Sequence, residues 1–309
     1  MTRRLLLFTL SVISSFAISA QEEKPTDSVP KGWNMAGEVS LLVNQSAFNH
    51  EWTGGGTSNY AGNLTINYEL NYRLEKISWN NRLLVDYGLS RNKDDRYARK
   101  TNDRLELNSI LGSEIQESEW FYSFFLNFKT QLSKGYDFNK DLDQTDPAYR
   151  TEKTHFMSPG YLKFGPGILW KKSDNLYVNI APATAKFVFV DKRFTEVDET
   201  VPGAIEEYNK KKYFGVDANE SSRFELGTAI SGYAKFELMP NITAENLLSL
   251  YSNYLEEFKN VDIDYTLNLV MTVNQFITTN FTFQAIYDDN AARGFQIREA
   301  LGVGLTYKF

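Results

Sequence analysis

The fold is decided by the stretch Asn63-Leu64-Thr65-Ile66-Asn67-Tyr68-Glu69-Leu70-Asn71-Tyr72. Apolar and polar side chains alternate along it without interruption. Leu64, Ile66, Tyr68, Leu70 and Tyr72 share one face, and amide, hydroxyl and carboxylate side chains form the other. A period of two is typical of a β-strand that separates an apolar from a polar environment. The stretch therefore predicts a two-faced strand.

The same pattern recurs along most of the chain. In 261–274 it places Val261, Ile263, Tyr265, Leu267, Leu269, Met271 and Val273 on one face. This stretch is longer than an ordinary strand of a soluble protein and suits a tilted strand that crosses a membrane. Further candidate strands lie at 36–45, 77–90, 102–114, 118–131, 160–171, 175–188, 224–237, 242–253, 277–288 and 297–309. The total is about twelve, an even number typical of outer-membrane barrels.

The connections between these strands alternate in length. Short turns fall near 73–76, 115–118, 172–174, 238–240 and 275–276. Long loops fall near 46–61, 90–101, 132–159, 189–222, 254–260 and 289–296. Outer-membrane barrels show this alternation, with short periplasmic turns and longer extracellular loops. The sequence thus predicts an all-β fold: a single antiparallel transmembrane β-barrel in the outer membrane of a diderm bacterium.

The composition agrees with a strand that has one face in lipid. Aromatic residues make up 15% of the 309 residues, yet the mean hydropathy is −0.41. In a barrel with lipid outside and a polar lumen inside, the apolar and polar faces of each strand average to a low mean hydropathy. After residue 20 no apolar run approaches the roughly 18 residues of a membrane-spanning helix. The chain has no cysteine, so no disulfide is expected to stabilise it.

The N-terminus is typical of an exported protein. Arg3 and Arg4 precede an apolar run, and small residues end it at Ala20, which predicts a signal peptide at 1–20. Residues 21–32 read as a periplasmic lead-in and 33–309 as the barrel. Removing the signal leaves 31 basic and 39 acidic side chains, a net charge of −8. This balance argues against a nucleic-acid partner.

The C-terminus ends on a strand whose last residue is aromatic. The run Gly304-Leu305-Thr306-Tyr307-Lys308-Phe309 combines a glycine, two spaced aromatic rings and a terminal Phe. It is similar to the signal read by the outer-membrane assembly machinery, through Gly304, Tyr307 and Phe309. Because a sheet in lipid must have no free edge, the first and last strands are expected to pair.

Several short motifs carry a family resemblance. They are Gln45 to Asn63 with its Gly54-Gly55-Gly56, Lys100-Thr101-Asn102-Asp103, Ser252-Asn253-Tyr254, Val261-Asp262-Ile263-Asp264 and Tyr287-Asp288-Asp289. On these the sequence resembles the bacterial family catalogued as domain of unknown function 3078. The resemblance implies an outer-membrane location and no particular activity.

The alternation also predicts which charged side chains line the lumen. They are Glu69, Arg82, Asp86, Arg104, Glu106, Lys129, Lys163, Asp262, Asp264 and Arg298, with Glu225, Lys235 and Glu245. The mixed signs allow a polar passage or a closed lumen in which opposite charges pair. The favoured function is a passive, porin-like channel or a small-solute uptake barrel. The alternative is a structural or interaction barrel with a closed lumen that acts through its extracellular loops. Asp262 and Asp264 form an acidic spot with no basic partner evident from sequence.

Catalysis is the least favoured function. An outer-membrane hydrolase needs a histidine within hydrogen-bond reach of a serine. His155 and Ser158 are three residues apart, which puts them on opposite faces of a strand, and His50 with Ser46 and Ser58 lies in a loop. We expect no enzyme, no catalytic residues and no metal site at these histidines.

One loop has part of a cation-binding pattern. Asp137-Phe138-Asn139-Lys140-Asp141 opens like a calcium loop, but Leu142 stands where glycine is needed. One interpretation of this loop is a loose surface calcium site formed by Asp141, Asp143 and Asp146. The other is a solvated acidic loop. No cofactor is expected, since Gly54-Gly55-Gly56 lacks the lysine and hydroxyl residue of a phosphate loop.

Aromatic side chains near the strand ends predict contact with the membrane interfaces. They are Tyr72, Trp79, Tyr87, Trp120, Trp170, Tyr287 and Phe309. Amphipathic rings at these depths anchor barrels in lipid. The predicted partners are therefore outer-membrane lipid and lipopolysaccharide, the assembly machinery, and a small-molecule solute.

Overall fold

The computed structural model describes residues 31–49, 51, 57–256, 258–292 and 294–309. The predicted signal peptide at 1–20 and most of the lead-in at 21–32 lie outside these residues. So do His50, Trp52 and the glycines 54–56.

Fourteen strands occur in the described residues. They are β1 (Gly32–Ser46), β2 (Asn59–Leu74), β3 (Ile77–Asn92), β4 (Arg99–Glu114), β5 (Trp120–Thr130), β6 (Gly135–Phe138), β7 (Arg150–Thr154), β8 (Gly160–Ser173), β9 (Leu176–Phe189), β10 (Ser222–Met239), β11 (Ile242–Asn253), β12 (Val261–Thr272), β13 (Ile277–Tyr287) and β14 (Gln296–Lys308). One α-helix, α1 (Ala204–Asn209), and three single 3₁₀ turns, Pro147–Tyr149, Lys192–Phe194 and Tyr213–Gly215, lie in the loops.

Twelve of the strands close into one antiparallel barrel. Every strand except β6 and β7 pairs with its two neighbours in the barrel, and β1 pairs with β14. β6 and β7 form a separate hairpin within the connection from β5 to β8. The predicted fold, strand number and closure are therefore confirmed. Closure gives the backbone N–H and C=O groups of the first and last strands hydrogen-bond partners, which a sheet in lipid requires.

The barrel has two different ends. At the turn end, residues 75–76, 115–119, 174–175, 240–241 and 273–276 connect neighbouring strands. At the loop end, the connections are 47–58, 93–98, 131–159, 190–221, 254–260 and 288–295. The alternation of short and long connections follows the prediction. The hairpin β6–β7 and helix α1 were not predicted, because elements of four to six residues are too short to show a period.

The C-terminal residue completes the seam between the first and last strands. The Gly37 N–H donates to the Phe309 carbonyl at 2.7 Å, and the Phe309 N–H donates to the Gly37 carbonyl at 2.9 Å. The Phe309 ring lies over Gly37 so closely that a Cβ there would overlap it. The ring also stacks with Tyr68 and Tyr307, with centroids 6.3 and 5.9 Å apart. Gly304 pairs with Leu42 in the same seam, where a Cβ would meet the Leu41 carbonyl. The seam therefore depends on two glycines, of which Gly37 lies beneath an aromatic ring.

The two faces of the sheet differ as the sequence pattern predicts. Large apolar side chains stand exposed on the outer face, among them Leu41, Tyr122 and Leu301, which are 52%, 64% and 61% exposed. Exposure of this extent marks a surface that another apolar phase covers. The inner face buries polar groups such as Ser40 and Thr266. No helix in the described part of the chain is long and apolar enough to cross a bilayer.

Candidate functional site in the barrel lumen

The structure places all ten charged side chains predicted for the lumen on the inner face. They are Glu69, Arg82, Asp86, Arg104, Glu106, Lys129, Lys163, Asp262, Asp264 and Arg298. Glu225 and Glu245 are buried there as well, and Lys235 lies opposite Glu245 on the neighbouring strand. Their contact with a solute stays a prediction.

An ion pair spans the half of the lumen nearest the turn end. Arg82 on β3 reaches Glu245 on β11, on the far side of the barrel, and their side chains are only 9% and 12% exposed. The Tyr233 hydroxyl and the Asn268 amide both donate to Glu245 at 2.9 Å. The Arg82 guanidinium also lies 4.8 Å from the centre of the Tyr233 ring. With these partners the buried charges are compensated, as enclosure requires.

A second bridge lies beside the turn-end mouth. Lys171 on β8 donates to Ser78 and Asn80 of β3, each at 3.1 Å, and pairs with Asp174 at 2.7 Å. Arg73 of β2 reaches the same Asp174 at 3.2 Å. Since β2 and β3 lie several strands away from β8, these contacts span the mouth. Lys171 was missed by sequence reasoning, because one lysine at a strand end gives no sign of which groups face it.

Apolar side chains line one side of the lumen at its middle depth. Six residues from six consecutive strands form one buried cluster: Ile110, Phe125, Leu169, Ala181, Ala229 and Tyr251. Beside it the Ser123 hydroxyl donates to the Asn179 side chain at 2.6 Å. Both of these polar side chains are buried. The cluster thus narrows the lumen from the side that runs from β4 to β11.

The half of the lumen nearest the loop end holds a more open set of charges. Lys129 on β5 donates to Asp264 on β12 at 2.6 Å, and both side chains are 26% exposed. Gln284 also donates to Asp264, at 3.0 Å. Arg104 donates to Asp86 through two nitrogens, at 3.0 and 2.5 Å. Lys129 and Asp264 therefore keep a side toward solvent, whereas Arg104 and Asp86 are enclosed, at 11% and 8% exposed.

Asp262 and Asp264, for which the sequence shows no basic partner, each have one in the structure. Lys186 on β9 donates to Asp262 at 2.9 Å and lies 3.3 Å from Glu225, and Lys129 pairs with Asp264. These partners are more than 75 residues away in sequence, so only closure of the sheet reveals them. Lys186 itself was missed by sequence reasoning for the same reason.

A cavity of about 490 Å³ opens in this loop half. Its wall comes from β4, β5, β8, β13, β14 and the segment before β8. Arg104, Lys129 and Arg298 supply charge, while Tyr161 and Ile286 supply apolar surface. The Nε atom of Arg298 is buried and has no hydrogen-bond partner among the described residues. The cavity therefore combines cationic groups with an apolar wall.

The two longest loops cover another part of the loop end. Val216 of the 190–221 loop packs in a buried cluster with Val188 and Val190 of the β9 side, against Tyr161 and Tyr213. The Tyr213 hydroxyl donates to the Lys153 carbonyl at 2.6 Å, which joins this loop to the β6–β7 hairpin. Burial raises the pKa of Tyr213. The loops thus form a cover over the β8–β10 side of the mouth.

His155 lies where the two loops meet. Its Nδ1 is 2.9 Å from Glu152 and its Nε2 is 3.3 Å from Asp191. Arg193 pairs with Asp191 at 2.8 Å and lies 3.7 Å from Glu152. The pKa of Glu152 is lowered chiefly by its hydrogen bond from Lys134. We call His155, Glu152, Asp191 and Arg193 the loop clasp.

Ser158 is buried beside the clasp and is already engaged. Its hydroxyl accepts the N–H of Asp191 at 2.9 Å and lies 3.3 Å from the Tyr213 hydroxyl. It meets His155 through paired backbone hydrogen bonds, both 2.9 Å long. The imidazole ring instead faces carboxylates on both sides.

The acidic side chains of the candidate calcium loop are used locally. Asp143 accepts the N–H and hydroxyl of Thr145 at 2.8 and 2.6 Å, and Asp146 accepts the Ala148 N–H at 2.7 Å. Elsewhere, Asp262, Asp288 and Asp289 can each bring one carboxylate oxygen within 4.8 Å of the others. Asp262 of that group is already paired with Lys186.

The fold and the two faces define a class of protein. A closed barrel of twelve strands, apolar outside and filled with paired polar groups inside, is an outer-membrane β-barrel, and this chain lies in the outer membrane. Its turn end then faces the periplasm and its loop end the outside. The family model described as "Protein of unknown function (DUF3078)" matches residues 43–136, so the resemblance seen in the sequence is confirmed over that segment.

Solved outer-membrane proteins are similar to this chain at low identity and with low TM-scores. The translocator domain of the autotransporter NalP from Neisseria meningitidis is 8% identical, with 99% of this chain and 96% of that chain covered and a TM-score of 0.38. An outer-membrane channel from Pseudomonas putida F1 is 8% identical, with 92% and 97% covered and a TM-score of 0.36. Outer membrane phospholipase A from Escherichia coli is 12% identical, with 88% and 90% covered and a TM-score of 0.31. No curated protein sequence matches this chain.

Proposed function

We propose that this protein is an outer-membrane barrel with a lumen closed by its own side chains, which acts through its loop-end cavity and loops. The observation that carries this proposal is the Arg82–Glu245 pair, which joins opposite walls in the turn half. The apolar cluster around Leu169 narrows the lumen from one side at the next depth toward the loop end. A passive solute would have to break the ion pair and pass this constriction. Closure of this kind favours the interaction barrel over the passive channel predicted first from sequence.

A gated channel is the second candidate. Arg104 and Lys129 line the loop-end cavity and also belong to the ion pairs that cross or edge the lumen. A solute that bound these cations would compete with Asp86 and Asp264 for them. Such competition is a physical route from solute binding to opening.

We also propose that the protein is not an enzyme. Ser158 is fully buried and its hydroxyl accepts a backbone N–H, while His155 is held by two carboxylates. A serine nucleophile needs an accessible hydroxyl activated by a neighbouring base. These two side chains serve the loop clasp instead.

The proposed partners follow from the surface of the barrel. Gly304, Tyr307 and Phe309 are proposed as the signal for the assembly machinery, supported by the position of Phe309 at the closing seam. Lipid and lipopolysaccharide are proposed to cover the exposed apolar belt.

Conductance in a planar bilayer tests the closed lumen. The full-length mature protein would be refolded, checked by its heat-dependent gel mobility, and compared with an Arg82→Ala/Glu245→Ala variant. We expect the wild-type protein to be silent and the variant to show brief openings. Steady conductance of the wild-type protein would reject the closed lumen.

The matched control removes an ion pair outside the lumen. Glu207→Ala/Lys210→Ala deletes the exposed pair on α1, whose nitrogen and oxygen are 2.5 Å apart. This control should stay as silent as the wild-type protein. A gated channel, by contrast, would open in the wild-type protein only when a small anion is added to the outer side.

A further inference from the structure

Arg298 stands apart from the other cations of the lumen. It lies on β14 opposite Gln284 of β13, on the wall of the 490 Å³ loop-end cavity. Its Nε atom is buried, and no described residue accepts a hydrogen bond from it. A buried donor without an acceptor costs on the order of 1–3 kcal/mol, and more when it carries charge. The arginine therefore has unused binding capacity.

The nearby cations already have acidic partners. Lys129 donates to Asp264 at 2.6 Å, and Arg104 donates to Asp86 at 2.5 Å. Gln284 also donates to Asp264, and a second nitrogen of Arg104 donates to the same Oδ2 atom of Asp86. Asp86 and Asp264 are the acids that act electrostatically on Arg298. Both thus have hydrogen bonds from other cations, which leaves Arg298 available to a ligand.

We propose that Arg298 anchors a binding site for a small organic anion in the loop-end cavity. The ligand presents a carboxylate or phosphate oxygen to the guanidinium, whose planar fork suits two parallel hydrogen bonds. Arg104 on β4 and Lys129 on β5 line the same cavity from other strands and attract negative charge. Tyr161 and Ile286 offer apolar contact to the rest of the ligand. This site rests on the proposed function, because a closed lumen beneath the cavity retains the ligand.

Calorimetric titration of the refolded full-length mature protein in zwitterionic detergent tests the site. Sodium succinate and sodium phosphate serve as probes in low-chloride buffer, with mannitol as the uncharged comparison. We expect saturable binding of at least one anion and none of mannitol. Arg298→Gln should weaken that binding about tenfold or more, the loss of one charge-assisted interaction.

Two further variants separate the site from general effects. Lys235→Gln removes another inward-facing cation, near the turn end, and should leave anion affinity unchanged. Arg298→Lys should recover part of the affinity that Arg298→Gln loses. The recovery should be larger for phosphate than for succinate, because a lysine ammonium supplies a point charge but not the planar fork of a guanidinium. Should Arg298→Gln fail to fold, Ile286→Trp fills the apolar side of the cavity and is expected to weaken binding similarly.

The outcomes distinguish the site from the closed lumen. Binding of succinate alone assigns a carboxylate ligand, and binding of phosphate alone assigns a phosphate ligand. Absence of saturable binding by either anion, or equal affinity in the wild-type protein and in the Arg298→Gln and Ile286→Trp variants, overturns the site. A silent barrel without anion binding rejects the site only. A conducting barrel whose anion binding depends on Arg298 rejects the closed lumen only.

Discussion

The two halves of the lumen use the same residue types to different effect. In the turn half, Arg82 and Glu245 are 9% and 12% exposed, and tyrosine and asparagine side chains fill their remaining hydrogen-bond positions. In the loop half, Lys129 and Asp264 are both 26% exposed and lie beside or near a cavity. The first pair crosses the lumen in an enclosed setting, whereas the second lies where a cavity leaves room for a partner.

The difference between the two ion pairs lies in their burial and not in their charge. A fully enclosed pair cannot exchange its partner without exposing a charge to a medium of low dielectric constant. A partly exposed pair next to a cavity can exchange with water or with a solute at small cost. We call the region of Arg82 and Glu245 the fixed half of the lumen and the region of Lys129 and Asp264 the exchangeable half, which also holds the enclosed Arg104–Asp86 pair.

The largest expected effect is in the fixed half. Arg82→Met leaves the Glu245 carboxylate enclosed without its counterion, which should lower the free energy of unfolding by about 3–5 kcal/mol. Urea titration of the protein in lipid vesicles, followed by tyrosine and tryptophan fluorescence, measures this loss.

A second variant checks that the loss comes from the uncompensated charge. Arg82→Met/Glu245→Gln removes both charges but keeps an acceptor for the Tyr233 hydroxyl, so it should recover most of the stability. If the double variant were as unstable as the single one, lost packing would explain the effect and the contrast between the halves would fail.

The equivalent change in the exchangeable half should cost less. Lys129→Met removes one cation from Asp264, but Gln284 still donates to that carboxylate at 3.0 Å and solvent reaches it. We expect a loss of about 1.5–3 kcal/mol, the range for hydrogen bonds to charged groups. The same urea titration compares the two halves directly, and a loss equal to that of Arg82→Met would contradict the distinction.

The outer face provides a third comparison. Gly37→Leu places a side chain where the Phe309 ring now lies, so the ring must leave its stack with Tyr68 and Tyr307. An aromatic contact of this kind contributes about 1 kcal/mol beyond area burial. We expect slower folding into vesicles, measured by the appearance of the heat-modifiable band. Gly62→Leu is a matched control, because a Cβ there meets only the Leu42 carbonyl at 3.9 Å.

The fold was largely predictable because its determinant is local. Alternation in stretches such as 63–72 reports the two faces of each strand directly, and the connection lengths report the two ends. The hairpin β6–β7 and helix α1 were missed, since their four to six residues carry no complete period.

The charged residues that face the lumen were largely predictable from the sequence, but the ion pairs that they form were not. Alternation predicted that Arg82 and Asp264 face inward, yet it could not predict that they meet Glu245 and Lys129. Those contacts join residues 163 and 135 positions apart and arise only from closure and register. The cavity likewise forms from β4, β5, β8, β13 and β14 together, so no single stretch of sequence contains its signal.

The smallest expected effect is in the loop clasp, outside the membrane. The pKa of Glu152 is lowered by its hydrogen bond from Lys134, and the pKa of Asp191 is lowered by the backbone N–H of Arg193. A lowered pKa means that the clasp is stabilised above the ordinary carboxyl range. This stabilisation is lost as the pH falls through the lowered values, below about pH 4. We expect the loops at 131–159 and 190–221 to exchange amide hydrogens faster there, after correction for intrinsic rates.

The barrel strands should keep their protection over the same acidic range if the effect is confined to the clasp. Glu152→Gln/Asp191→Asn removes the titrating carboxylates of the clasp and should reduce the pH dependence of amide exchange at the residues around it. Asp198→Asn is the matched control, because Asp198 also has a lowered pKa, caused by Thr200, but lies outside the clasp. An unchanged pH profile in the double variant would show that the acid response comes from elsewhere. The exchangeable half of the lumen, and not the clasp, would then be the next region to test.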